Sequence, residues 1–242
     1  MGLQLHRYGR GSRLGFILSV LEPLAVITAM YVIRGLFRGK EAVYGTSLFL
    51  FIASGVLPYF LFLRLSTRTR GTETGPRSRL PGLSALDVYI ATILVNALIW
   101  IFMIVAIFLG MWLYGIDQAR PYSIATCAQP IVLLILFGMG VGMINNVITR
   151  YITAWNSIFA VLTRGLIFLS GVFFIVDIQP IRWRAWSILN PLSHGVEWFR
   201  LGVYGRYPHN SLDISYFVEW VLIALFIGLV VDRAALRTLD RN

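Results

Sequence analysis

The sequence predicts an all-α integral membrane protein with six transmembrane helices. Three observations carry this. Of 242 residues, 57% are hydrophobic and 13% charged, against about 25% charged in a typical soluble domain. The apolar residues gather in six stretches near the length of ~20 that a helix needs to cross the bilayer core. None alternates with the period of two that marks a barrel strand, and a helix satisfies every backbone group within lipid. Lys and Arg number 21 against 11 Asp and Glu, a net charge of +10. No basic soluble domain exists in which a nucleic-acid groove could sit, so no nucleic-acid partner is expected. Cys127 is alone, and no Cys/His spacing suggests a metal. The first fourteen residues lack an apolar run with a small-residue cleavage site, so no cleaved signal peptide is expected. The chain reads as a single transmembrane domain, 1–242.

The spans follow in order. Leu14–Ile33 is apolar except for Glu22, and Pro23 after it is expected to kink the helix. Thr46–Leu63 carries no charge. Val88–Tyr114 carries none either and is long enough to tilt. Pro121–Thr149 starts polar, contains Pro121 and Pro130, and holds the small residues Gly138, Gly140 and Gly142. Such residues let helices approach closely; packing is the favoured reading, flexing the other. Asn145 and Asn146 close that span and are expected to cap it or bond across helices. Asn156–Val176 is apolar except for Arg164. Leu212–Val231 has Asp213 near its start and Glu219, then runs apolar. Charges inside spans are costly and default to functional hypotheses. Glu22 or Glu219 is the expected partner of Arg164, and a buried ion pair holding the bundle is the plain alternative to a functional role.

An even number of spans places both ends on one side. With both termini cytoplasmic, the inner segments hold twelve basic residues and the outer segments eight. The clearest contributor is Arg64, Arg68, Arg70, Arg77 and Arg79 between the second and third spans. The positive-inside rule therefore sets both termini cytoplasmic.

Three segments are not plain spans. Residues 1–13 join Arg7, Arg10 and Arg13 to Leu3, Leu5 and Tyr8, which suits an interfacial helix on lipid headgroups; a basic tail is the alternative. Residues 66–86 are polar, basic and rich in Gly and Pro, and read either as a docking loop or as a solvated connector. Ser84 fits the N-cap of the next helix, with Asp87 in its first turn. Residues 177–212 mix Trp183, Trp186, Trp198, Phe199, Tyr204 and Tyr207 with Arg182, Arg184, Arg200 and Arg206. Their apolar positions recur at helical spacing, and Asn190-Pro191 divides them into two short helices. An interfacial aromatic belt explains this composition. So does a surface that receives a sugar chain or large amphiphile, rings meeting apolar sugar faces and arginines meeting acidic groups.

Several chemistries are missing. The only lysine, Lys40, stands in no G-x-x-x-x-G-K-[ST] loop, so no ATP is bound through one. His194 and Glu197 have a one-turn spacing without a second ligand pair. No G-x-S-x-G or S-x-x-K nucleophile elbow is credible. An enzyme is not expected, and no cofactor in this chain.

Four passages in order resemble the membrane subunits of ABC exporters, the ABC type-2 permeases, in their polysaccharide-export branch, closest to the capsular polysaccharide permeases. They are Arg7-Tyr8-Gly9 with Leu14-Gly15-Phe16 and Leu21-Glu22-Pro23-Leu24; Phe51-Ile52-Ala53-Ser54-Gly55 with Pro58-Tyr59-Phe60; Arg164 with Leu169-Ser170-Gly171-Val172-Phe173-Phe174; and Ile188-Leu189-Asn190-Pro191-Leu192 through Glu197 and Arg200. The resemblance implies a homodimer of six-helix subunits in the bacterial inner membrane. It implies two copies of a separate ATP-binding cassette subunit, which supplies the ATP and Mg chemistry. Arg77, Arg79, Leu80, Leu83, Leu86 and Asp87 are then the coupling loop, and residues 177–212 make short re-entrant helices on the periplasmic side. The cargo it implies is a capsular or related polysaccharide, free or lipid-linked, handed on to periplasmic and outer-membrane export proteins. Trp183, Trp186, Trp198, Tyr204, Arg182 and Arg184 are the expected exit, with Glu22 and Arg164 as bundle charges. Export of O-antigen, teichoic acid, lipid or drug is the alternative within the class. An integral membrane enzyme or assembly factor acting on lipid-linked sugars would need clustered acids or nucleophiles at one face, and the sequence has none.

Overall fold

The computed structural model describes residues 5–39, 41–68 and 85–239. Its helices are α1 (Leu5–Arg38), α2 (Leu48–Arg68), α3 (Ala85–Leu113), α4 (Ile124–Tyr151), α5 (Trp155–Leu169), α6 (Ile181–Leu189), α7 (Pro191–Tyr204) and α8 (Ile214–Leu239). Among the described residues four helices are long and apolar enough to cross a membrane: Leu48–Thr67, Tyr89–Leu113, Ile124–Tyr151 and Ile214–Ala235. α5 is apolar but has 15 residues, about 22 Å of helix against a core of ~30 Å. α1 runs unbroken through residue 13 and through Pro23. The expected interfacial segment is thus the first part of one long helix and not an element of its own.

The helices form because their apolar positions recur at helical spacing and caps close their ends. On α3, Tyr89, Ile93, Ala97, Trp100, Ile104, Phe108 and Met111 are buried. That is one stripe at steps of three and four residues. The opposite face carries Leu94, Leu98, Phe102 and Leu113, all large, apolar and exposed, as expected of a surface whose solvent is lipid. Ser123 caps α4 by accepting from the Thr126 amide. Asn190 ends α6 and caps α7, its Oδ1 accepting from Leu192 N at 3.1 Å with Pro191 in the first turn. The division at Asn190-Pro191 read from the sequence is therefore present.

α4 is the centre of the bundle, packed against α8, α2 and α7, while α1 and α3 lean on α2. The glycines of α4 make this possible. Residues two apart on a helix point to nearly opposite faces. A Cβ on Gly138 would stand 2.8 Å from Leu65 Cβ of α2, and one on Gly140 would stand 2.6 Å from the Ala224 backbone of α8. Gly228 returns the approach, its Cβ position lying 2.7 Å from Gly140 O. Packing, not flexing, accounts for these glycines.

The bundle has two distinct ends. At one, called the cap end here, residues 39–47, 114–123 and 170–213 meet. Thr46 N donates to Gln118 Oε1, Tyr44 Oη to Arg206 O, and Tyr122 N and Ser123 N to Val203 O and Gly202 O. At the opposite end Asn145 bonds across helices as expected. Its Nδ2 donates to Ser66 O at 3.1 Å, and its Oδ1 accepts from Trp155 Nε1 at 2.9 Å.

Candidate functional site

The cap end is built around the backbone that follows α5. Residues 171–174 leave the helix through Gly171, whose φ of +67° only glycine adopts freely. Their carbonyls point inward without helical partners. Two arginines take all four. Arg200 of α7 donates through Nη1 to Gly171 O (2.6 Å) and Phe174 O (3.1 Å), and through Nη2 to Val172 O. Arg34 of α1 donates to Phe173 O. Arg200 also reaches Phe51 O of α2 at 3.2 Å and Tyr207 Oη at 3.3 Å. Its guanidinium lies 3.9 Å from the centre of the Phe51 ring. The side chain is fully buried. Gly55 leaves the space it needs, since a Cβ there would stand 2.5 Å from Arg200 Nη2 and from Val172 O. One residue thus joins α2, α7 and the end of α5.

An acid–base group extends the clamp. Asp177 lies 3.5 Å from the Arg184 guanidinium and accepts from Asn210 N and Ser211 Oγ, while Arg184 Nε donates to Ser211 Oγ at 2.9 Å. This ties the short helix α6 to the segment before α8. Glu197 is buried beside it and accepts from Val176 N at 3.3 Å. Burial pushes its carboxyl up to about 7, Asp177 adds to the rise, and Arg200 opposes it. His194 is buried between α6 and α8. Its Nδ1 faces the Asp213 amide at 3.1 Å and so accepts, which leaves Nε2 to donate to Ile188 O at 2.8 Å. That arrangement needs the neutral ring, and burial lowers its pKa accordingly.

The predicted exit residues do not share one surface. Trp183 and Trp186 are one turn apart on α6 and exposed, 62% and 64%, with Arg182 exposed immediately before them in sequence. Arg184 is committed to Asp177 and Ser211. Trp198 is 8% exposed and belongs to the core, so its expected place at an exit is corrected. Tyr204 is half-buried, stacked on Tyr207 and edge-on to Tyr44. Aromatic and basic composition alone groups these residues in the sequence. The turn at Asn190 aims α6 and α7 differently, and α7 goes into the core.

The bundle charges are also redistributed. Glu22 pairs with Arg64 at 2.9 Å, not with Arg164. Arg64 is 16 residues along α2 from Leu48 at the cap end, about 24 Å at 1.5 Å per residue. The pair therefore lies toward the opposite end and not at mid-bilayer. Arg164 and Glu219 are both exposed, and among the described residues no ion pair joins them. Arg164 is nine residues from the start of α5, about 14 Å along it. Arg77, Arg79, Leu80 and Leu83 lie outside the described residues. Leu86 and Asp87 fall in the first turn of α3.

Arg200, Glu197, Asp177 and Ser211 were not expected as a site. The spacing of Glu197 and Arg200, one helical turn apart in an apolar run, was the available signal. Nothing in it announces that the partners of the arginine are carbonyls.

The chain is similar along most of its length to three bacterial proteins. It is 28% identical over 233 residues to the polysialic acid transport protein KpsM of Escherichia coli, covering 94% of this chain and 88% of that one. It is 25% identical over 231 residues to the capsule polysaccharide export inner-membrane protein CtrC of Neisseria meningitidis serogroup B, covering 93% and 84%. It is 26% identical over 233 residues to the capsule polysaccharide export inner-membrane protein BexB of Haemophilus influenzae, covering 93% and 84%. The family model described as ABC-2 type transporter matches residues 3–204, spanning α1 through α7, and the chain belongs to the ABC-2 type transporter family.

Proposed function

We propose that this chain is the membrane permease of an ATP-driven exporter that carries capsular polysaccharide across the bacterial inner membrane. It is a transport subunit and not an enzyme; hydrolysis belongs to a separate subunit. The likeness to KpsM, CtrC and BexB over more than nine-tenths of this chain carries the choice of cargo. Six spans follow when α1 and α5 are added to the four long apolar helices. Both termini are then cytoplasmic, the cap end is periplasmic, and residues 66–86 face an ATP-binding cassette subunit present in two copies. ATP and Mg act there and not in this chain.

One geometric observation supports a homodimer with the path between subunits. Arg164 stands exposed near mid-bilayer on a helix that otherwise presents Ile158, Val161, Leu162 and Phe168 outward. A guanidinium facing lipid at that depth costs at least about 2.5 kcal/mol. A second copy or an aqueous path removes the cost. At the cap, α6 presents Trp183, Trp186 and Arg182 to the emerging chain: flat rings for sugar faces, a guanidinium for acidic groups. From there the polysaccharide passes to periplasmic and outer-membrane export proteins.

The test is co-purification of the full chain with its candidate ATPase, followed by ATPase assay with and without cell-surface glycolipid. A stable complex whose hydrolysis rises with glycolipid is expected. Failure to hold any ATPase refutes the transport assignment, and stimulation by lipids without sugar refutes the cargo.

A further inference from the structure

We propose that the cleft between α3 and α4 at the cap end binds one anionic phospholipid of the bilayer, with an acyl chain in the cleft and the phosphate on Arg120. Both helices are among the four apolar enough to cross a membrane. They touch little along their length, because α4 gives its small faces to α2 and α8. The space left is about 710 Å³, within the range of ligand cavities. Ile104, Phe108 and Trp112 of α3, Ile124 and Cys127 of α4, and Phe199 of α7 line it.

Length and charge select the occupant. On α3 the cleft runs from Ile101 to Trp112, about 16 Å at 1.5 Å per residue. That is half of a ~30 Å hydrocarbon core, the depth of one leaflet. Arg120 is the single charged residue of the lining. It is exposed at the cap-end mouth, and among the described residues it makes no ion pair. Asp117, in the same loop, is not part of the lining. Trp112 stands exposed at the same level, where indole rings meet lipid headgroups. An apolar slot one leaflet deep, closed by a guanidinium at headgroup height, matches a phosphate with its tail. Lipid binding here does not depend on what the chain transports. Phe199 belongs to the clamp helix α7, so the tail would rest against the helix that carries Arg200.

The experiment is native mass spectrometry of the full-length chain in mild detergent, offered phosphatidylglycerol and phosphatidylcholine at equal concentration. The native chain is expected to retain phosphatidylglycerol preferentially. Arg120→Gln removes one charge-assisted contact and is expected to weaken phosphatidylglycerol retention about tenfold, with phosphatidylcholine unchanged. Ala128→Trp, at an exposed position in the cleft, is expected to reduce both. Should Ala128→Trp fail to fold, Arg120→Gln decides alone. Equal retention of the two lipids by the native chain, or undiminished phosphatidylglycerol on Arg120→Gln, overturns the assignment. A drop in subunit number with Ala128→Trp assigns the cleft to a second copy and overturns it as well.

Discussion

Replacing Arg200 by lysine keeps the charge and removes the fork. In the native chain the guanidinium engages four backbone carbonyls and the Tyr207 hydroxyl. An ammonium has three donors, so at least two of these five acceptors lose their partner. Each buried acceptor left unmade costs about 1–3 kcal/mol, giving a loss of at least about 2 kcal/mol. Water cannot fill in easily, because Arg200 and the residues around it are buried. The cost falls on the cap, so unfolding should begin there. Thermal unfolding of the purified chain and proteolysis of the 170–213 segment read the global and local effects. Arg206, exposed nearby, supplies the control. Arg206→Lys is expected within about 0.5 kcal/mol of native, as for ordinary surface changes. If Arg200→Lys is as stable as that control and its cap as resistant to protease, the carbonyl clamp does not hold the cap together.

Glu197 gives a pH test. Its folded pKa of about 7 stands above its ordinary 4.5, so the folded state binds the extra proton, and stability falls as pH rises from about 4.5 to about 7 and is flat beyond. The drop is about 3 kcal/mol; in Glu197→Gln this slope is expected to vanish in unfolding curves between pH 5 and 8. Gly140→Val places a side chain against the Ala224 backbone and is expected to destabilise by about 2 kcal/mol, lowering the melting temperature and the yield in membranes. Arg164→Ala is expected to leave the amount of chain in the membrane near native while lowering surface polysaccharide, measured by antibody labelling. Native export in that variant would remove Arg164 from the path.

The helices were legible because apolar stretches and caps are local signals. Asn190-Pro191 and the α4 glycines act through neighbours in sequence or through the absence of a Cβ, and each does what its residue type indicates. The errors share another cause. Glu22 and Arg164 both lie inside apolar runs, which suggests a pair, but α1 continues past its apolar run and meets the cap at Arg34. Glu22 is 12 residues before Arg34, about 18 Å along the helix, and so stands toward the opposite end, where Arg64 lies. Trp198 was grouped with Trp183 and Trp186 by aromatic content alone. Only the turn at Asn190 decides that α7 faces the core while α6 faces out. The carbonyl clamp was invisible for a deeper reason: its acceptors are main-chain atoms, identical in every residue, and only the backbone path after Gly171 makes them a site.

That choice of ligand has an electrostatic consequence. Carbonyls take the terminal donors of a buried guanidinium, whose Nε is left without a hydrogen-bond partner, and do not cancel its charge; a buried charge left uncompensated is expensive. The chain has few acids to spend, 11 against 21 basic residues. It places Glu197 one helical turn before Arg200, and two further acceptors of charge, the Phe51 ring and the Tyr207 ring, at 3.9 and 5.9 Å from the guanidinium carbon. Yet burial outweighs Arg200 in setting the Glu197 carboxyl near 7, so around neutral pH the Glu197–Arg200 pair alternates between carrying a net positive charge and carrying none. A fixed ion pair at Arg200 would have locked the charge there. Carbonyls, rings and one poised acid hold its shape while leaving its charge adjustable, on the same end of the bundle where Arg182, Trp183 and Trp186 stand exposed.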